Sequence, residues 1–156
     1  MNTVMPARET THSKPKKTGK GKILFVEDDK FLAEMFRQKF VTEGYRPIIA
    51  HTAISAVLAL KEQQPIAVIL DIVLKDSECW MIMEYLRRKP DWQPVPIILL
   101  TNYGNDEYRK KAEDLHADAF FIKTSITPAE LVHAMEKLIR DHKRTPRERY
   151  RSPILE

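Results

Sequence analysis

The stretch Ile66-Ala67-Val68-Ile69-Leu70-Asp71 is five apolar residues running straight into a carboxylate. A short continuous apolar run without alternation reads as a strand covered on both faces, the kind found in parallel sheets. Open α/β sheets keep their chemistry outside the carboxyl ends of the strands, which makes Asp71 a candidate site residue. Three other strand-like runs end in groups that could serve it. Lys22 to Glu27 leads into the acidic cluster Glu27-Asp28-Asp29, Val95 to Thr101 ends in a hydroxyl, and Ala119 to Ile122 is followed by Lys123. Strands of a parallel sheet all point one way, so these groups are expected on one edge. Acids, a hydroxyl and an ammonium around one carboxylate suggest a metal-assisted phosphoryl acceptor.

Between the strands the pattern turns helical. Asp29 is placed to cap a helix running to about Glu43, with Phe31, Leu32, Met35, Phe36 and Phe40 on one face and Gly44 to stop it. Arg46 to His51 reads as a strand. Thr52 to Gln64 reads as a helix with Ile54, Val57, Leu58 and Leu60 apolar, followed by Pro65. Helices are expected over Glu78 to Arg88 and Asn105 to His116. Thr127-Pro128-Ala129-Glu130 is a capping box with proline at the first helical position, opening a helix with Leu131, Met135, Leu138 and Ile139 inward. Strands alternating with helices imply right-handed crossovers and a doubly wound parallel sheet of five strands and five helices.

The 156 residues are enough for one ordinary domain with a real core. Residues 22–142 are expected to form it, between a disordered basic tail at 1–21 and a second basic tail at 143–156. The net charge of +4 hides this division. Residues 1–22 hold six Lys/Arg against one Glu and residues 140–156 hold six against three acids, which leaves the middle acidic. The tails lack the interleaved aromatics that would support a nucleic-acid module, and no DNA-binding domain is expected. No apolar run approaches the ~20 residues that span a bilayer. Cys79 is the single cysteine, so no internal disulfide can form, and a cytoplasmic location is expected. Cys79 itself reads as a buried structural thiol, and the five histidines show no metal-ligand spacing.

Two or three carboxylates in one pocket repel one another unless a cation compensates. A hard ion such as Mg²⁺ takes oxygen ligands. Asp28 and Asp71 would supply carboxylate oxygens, the Val73 backbone a carbonyl, and Glu27 a water-bridged contact. Asp71 is the candidate nucleophile, and Lys123 would offset charge on the transferring group.

The segments ILFVEDD (Ile23 to Asp29), VILDIVL (Val68 to Leu74), IILLTN (Ile97 to Asn102) and FFIK (Phe120 to Lys123) match one known family in order and spacing. Over roughly Lys22 to Asp141 the chain resembles the response-regulator receiver domain of two-component signalling. The resemblance implies a flavodoxin-like fold and phosphotransfer from a histidine kinase or phosphotransfer protein to Asp71. It implies Glu27 and Asp28 as the acidic pair, Lys123 as the conserved-type lysine, Thr101 as the hydroxyl that closes on the phosphoryl group, and Phe120 as the aromatic switch position. The chain is then expected to be a stand-alone response regulator, not an enzyme, with output by contact with a downstream protein. Drawing Thr101 inward would leave room for the Phe120 ring to turn in, and about 5 kcal/mol of differential stabilisation would move such a switch from mostly off to mostly on.

Several positions depart from the family pattern. Lys75 stands where proline is common, Glu78-Cys79 where Asp-Gly is frequent, and Asn102 where a small residue is usual. Thr124 follows Lys123 where the family commonly has proline after a cis bond. With Thr124 there, either a strained cis bond is held or a trans bond aims Lys123 differently. Two other functions stay open, a receiver-like adaptor that is never phosphorylated and a Mg²⁺-dependent phosphohydrolase. The apolar Val73 two residues beyond Asp71 speaks against the hydrolase. Val73 and Tyr103 also offer no carboxylate or amide to align an attacking water, so slow self-dephosphorylation is expected. Tyr108, Lys111 and Leu115 make a candidate docking face.

Overall fold

Ala67–Asp71 forms β3, and every one of its residues is buried. It lies at the centre of a five-stranded parallel sheet ordered β2-β1-β3-β4-β5, in a computed structural model that describes residues 19–75, 77–92 and 94–142. The other strands are β1 (Lys22–Val26), β2 (Arg46–Ala50), β4 (Ile97–Thr101) and β5 (Ala119–Ile122). The helices are α1 (Lys30–Thr42), α2 (Ala53–Gln63), α3 (Trp80–Arg88), α4 (Asp106–Asp114) and α5 (Pro128–His142), with short 3-10 turns at Pro90–Trp92 and Lys123–Ser125.

Register sets which chemistry meets. Val26 pairs with Leu70 and Asp71 with Leu100, and Thr101 pairs with Ile122, so the four strand ends that carry candidate groups are level. Side chains alternate across the sheet. Ile23, Phe25, Ile69 and Leu100 face α1 and α5, while Leu24, Val26, Leu70 and Leu99 face α2, α3 and α4. Two cores sandwich the sheet, and burial on both faces is why β3 tolerates no polar residue before Asp71.

The helix signals work as local chemistry requires. Asp29 accepts from the Phe31 and Leu32 N–H groups, and Gly44 sits just past the end of α1 at φ 94, the left-handed region. Thr127 and Glu130 exchange reciprocal bonds at 2.7 and 3.2 Å across the first turn of α5. Thr52 and Ser55 do the same for α2. No helix among the described residues is long and apolar enough to cross a membrane.

Three sequence readings need correction. Phe31 and Met35 do not face the core: Phe31 is 84% exposed, and Ala33, Phe36 and Phe40 make the buried face of α1. Likewise Ile54 and Leu58 are exposed, and α2 buries Ala53, Ala56 and Leu60 instead. Phe36, Phe40 and Leu60 of the expected sets are buried, and the rest of each buried face is made by alanines, Ala33 in α1 and Ala53 and Ala56 in α2, whose small side chains allow close approach to the sheet. The third concerns Lys20 and Gly21. Lys20 N–H donates to the Gly44 carbonyl and Arg46 N–H to the Gly21 carbonyl, so these two residues of the expected 1–21 tail are tied into the fold. The rest of that tail, residues 1–18, and the tail at 143–156 lie outside the described residues.

Candidate functional site

The carboxyl edge of the sheet opens into a cleft of about 320 Å³ lined by Glu27, Asp28, Asp71, Val73, Thr101 and Lys123, among others. Glu27 leaves β1 with its N–H bonded to the Ala50 carbonyl at 3.0 Å, which turns its side chain inward to 1% exposure. Its Oε1 accepts from the Asp29 N–H at 3.2 Å. The residue that caps α1 therefore also orients the buried acid. Asp71 ends β3 itself, and its Oδ1 accepts from the Val73 N–H at 3.2 Å. Lys123 follows β5 and places Nζ 2.6 Å from Glu27 Oε2 and 2.8 Å from Asp71 Oδ2. Thr101, fully buried, accepts a bond from the Tyr103 N–H at 3.1 Å.

No peptide bond among the described residues is cis, and Lys123 reaches both acids all the same. The sequence reading allowed only a held cis bond or a misdirected lysine. The structure shows a third solution: Lys123 opens a 3-10 turn at Lys123–Ser125 with no cis bond, and its ammonium still meets both acids.

Electrostatics at this edge are unbalanced. One oxygen each from Glu27, Asp28 and Asp71 lies within 4.8 Å of the others, against one ammonium. Burial pushes the Glu27 carboxyl up to about 7, helped by the Asp71 charge and opposed by its bond to Lys123. Burial also raises Asp71, with the Lys123 bond and charge pulling it down and Asp28 adding to the rise. For Lys123, burial pulls downward but is outweighed by Asp71 and Glu27, so its ammonium is held charged more firmly than usual. A cluster of three acids and one base thus retains a proton near neutrality unless a second cation arrives. The donors are hard oxygens, the set that Mg²⁺ takes, and their excess charge is what a divalent ion would offset. These three acids fit such an ion.

The remaining candidates are sorted by the fold. Val73 lines the cleft, as do Asn102 and Tyr103 from the loop after β4. Phe120 does not: its ring is 2% exposed, under the Arg109 guanidinium at 4.9 Å, and borders a separate groove between β5 and α5. The ring is already inward in this structure. Leu32 and Asp29 also line the cleft. Their readings as core and cap residues hid this, although adjacency to Asp28 was the available signal. The candidate docking face on α4 has Lys111 exposed and Tyr108 and Leu115 half-buried, and it also makes contacts within the domain. The Tyr108 hydroxyl donates to Glu78, Lys111 lies over the Trp80 ring at 4.9 Å, and Leu115 packs on the core. Cys79 is fully buried, and burial drives its thiol pKa far up.

Comparison with known proteins agrees with this geometry. The family model of the response regulator receiver domain matches residues 23–136. The phosphate regulon transcriptional regulatory protein PhoB of Escherichia coli K12 is 29% identical over 119 residues, covering 76% of this chain and 52% of that protein. The transcriptional regulatory protein CusR of the same organism is 31% identical over 119 residues, covering 76% of this chain and 51% of CusR. The chain therefore spans about half the length of these curated relatives. Among solved structures, a signal receiver domain of a signal transduction histidine kinase from Syntrophus aciditrophicus superposes with a TM-score of 0.72 at 26% identity, covering 80% of this chain and 94% of that one. A CheY-like receiver domain protein from Methanospirillum hungatei JF-1 gives 0.72 at 24% identity, covering 78% and 95%, a likeness of fold. With the family model spanning most of its length and the acidic cleft at the expected strand ends, the chain belongs to the response-regulator receiver domain family.

Proposed function

We propose that Asp71 is the phosphoacceptor of this receiver domain, taking a phosphoryl group from the phosphohistidine of a histidine kinase or phosphotransfer protein. The observation that carries this reading is the Lys123 ammonium 2.8 Å from the Asp71 carboxylate, with Glu27 and Asp28 beside it. Asp71 Oδ forms the new O–P bond as the donor's N–P bond breaks, and the donor imidazole departs with that electron pair. Lys123 holds the carboxylate in position and offsets the phosphoryl charge, while the Val73 N–H fixes the carboxylate plane. Glu27, Asp28, Asp71 and the Val73 carbonyl would hold Mg²⁺, which would offset the charge of the acids and of a phosphoryl oxygen. The Thr101 hydroxyl accepts from the Tyr103 N–H and lines the same cleft, and in this reading it turns its proton to the new dianion.

The signal then leaves through contacts of the receiver surface with a separate protein or domain. An adaptor that is never phosphorylated would have been favoured by a lysine aimed away from Asp71, and the observed contact supports the phosphoacceptor over it. Titration with beryllofluoride, a phosphoryl mimic, tests the assignment by amide NMR. Saturable shifts at Ile72 and Val73 that require Mg²⁺ and vanish in Asp71→Asn are expected. Absence of any shift in the wild type would overturn it.

A further inference from the structure

The loop that leaves Asp71 is closed on itself and then fastened to α4. Val73 donates its N–H to the Asp71 carboxylate and also forms an isolated antiparallel bridge with Glu78. Leu74 N–H bonds the Ser77 carbonyl and Cys79 N–H bonds the Ile72 carbonyl, both at 2.9 Å. Glu78 is thus registered against Val73 by backbone geometry. Its carboxylate is then shared between two aromatic donors. Oε2 accepts from Trp80 Nε1 at 2.6 Å, and Oε1 accepts from the Tyr108 hydroxyl of α4 at 3.2 Å. The Trp80 and Tyr108 rings pack at 5.9 Å, and the Lys111 ammonium covers the indole face. Glu78 is exposed, yet its carboxylate is held by two donors on different elements, which ties the loop to α4.

The far end of α4 is pinned separately. Arg87 of α3 donates to the Leu115 carbonyl at 3.4 Å and to the His116 carbonyl at 2.6 Å, at the turn that ends the helix. α4 is therefore held at its C-terminal end by α3, and in its first turn by the loop that begins at Asp71. The Glu78 carboxylate is a charged handle by which movement of that loop can reach the near end of α4.

Taking Asp71 as the phosphoacceptor, we propose that Glu78 is a positioning residue that transmits the state of Asp71 to the first turn of α4. The path runs from the Val73 N–H through the Val73–Glu78 bridge to the Tyr108 hydroxyl, without using Thr101 or Phe120. Converting the Asp71 carboxylate to an acyl phosphate replaces the acceptor facing the Val73 N–H and sets a dianion beside it. The bridge carries that displacement to Glu78, and Glu78 draws or releases Tyr108. Coupling of this kind is a claim about shared free energy, so it needs a coupling measurement and not proximity alone.

The experiment compares beryllofluoride-plus-Mg²⁺ shifts at two sets of amides, Asp106 to Lys110 in α4 and Ala119 to Ile122 in β5. Tyr108→Phe keeps the ring and removes only the hydroxyl. It is expected to reduce the α4 response at least twofold while leaving the β5 response and the response at Val73 in place. Glu78→Ala is expected to do the same, and Glu78→Gln, which keeps an acceptor oxygen, to restore it. Because both groups lie on one path, the Tyr108→Phe/Glu78→Ala double variant should lose no more than either single one. An α4 response in Tyr108→Phe equal to that of the wild type overturns the proposal, as do additive losses in the double variant. Failure of the phosphoacceptor reading looks different, with no shift at Val73 in the wild type. A resting-state arm still decides the link in that case. Asp71→Asn alters the acceptor facing Val73 without any ligand, and its resting shifts should reach the α4 amides in a wild-type Tyr108 background and fall at least twofold when Tyr108→Phe is added. Equal α4 shifts in the two backgrounds overturn the link.

Discussion

The Lys123 ammonium lies 2.8 Å from the Asp71 carboxylate across 52 residues of sequence, and it also touches Glu27 at 2.6 Å. One cation therefore serves two buried acids, while Asp28 adds a third negative charge at the same strand ends. This shortage of positive charge is what a bound proton or a divalent ion would relieve.

Removing an acid should weaken metal binding more than it disturbs the fold. A carboxylate a few ångströms from a cation is worth on the order of a few kcal/mol in a partly screened site. Asp28→Asn is expected to weaken Mg²⁺ binding at least tenfold in calorimetric titration while shifting thermal stability little. Unchanged affinity would remove Asp28 from the ligand set.

The pH dependence has a definite sign. Burial raises Glu27 from 4.5 to about 7 in the folded chain. Between those values the folded state holds a proton that the unfolded state has released, so stability falls as pH rises through that window. The contribution is on the order of 3 kcal/mol at most. Metal-free wild type should lose stability from about pH 5 to pH 7 relative to Glu27→Gln, in parallel denaturant titrations. Mg²⁺ binds the ionised form, so its stabilising effect should be larger at about pH 8 than at about pH 5.5. Parallel pH profiles for the two proteins would contradict this origin.

How long the phosphoryl group persists should depend on Val73. Val73 is 39% exposed and Tyr103 61% exposed beside the cleft, and neither carries a carboxylate or amide to orient water. A half-life of minutes or longer is expected after removal of the phosphodonor, and Val73→Glu should shorten it several-fold. A half-life of seconds in the wild type would count against this reading.

The exposure of Phe31 gives a test of helix orientation. Phe31→Ser is expected to change stability by no more than about 0.5 kcal/mol, as for surface substitutions generally. Phe36→Ala removes a ring packed 5.1 Å from Phe25 and should cost about 3–5 kcal/mol. Similar costs at both positions in urea denaturation would place Phe31 in the core.

The fold was legible because each strand carries its own label. Continuous apolar runs marked β3 and β4 as buried on both faces, and the caps at Asp29 and Thr127 marked helix starts by hydrogen-bond chemistry that needs no tertiary context. The candidate site followed from the same logic, since strands pointing one way must end together. Helix faces were read less well. Hydrophobicity ranks Phe31 and Ile54 above Ala33 and Ala53, but close helix–sheet approach favours the small residue, and a single sequence carries no term for that distance. The Glu78–Tyr108 link was also hidden, because nothing local relates a loop glutamate to a tyrosine 30 residues on. That Lys123 reaches Asp71 with a trans bond and a 3-10 turn following was also hidden, because the residues Lys123-Thr124-Ser125 do not announce that turn.

The most direct measurement is the mass of the intact protein after incubation with acetyl phosphate and Mg²⁺, followed by peptide mapping. Addition of one phosphoryl group, confined to the peptide containing Asp71, suppressed by chelation of the metal and abolished in Asp71→Asn, is the expected result. No addition under conditions where the protein is folded and Mg²⁺ is saturating, or addition that survives Asp71→Asn, would contradict the assignment of Asp71 as phosphoacceptor.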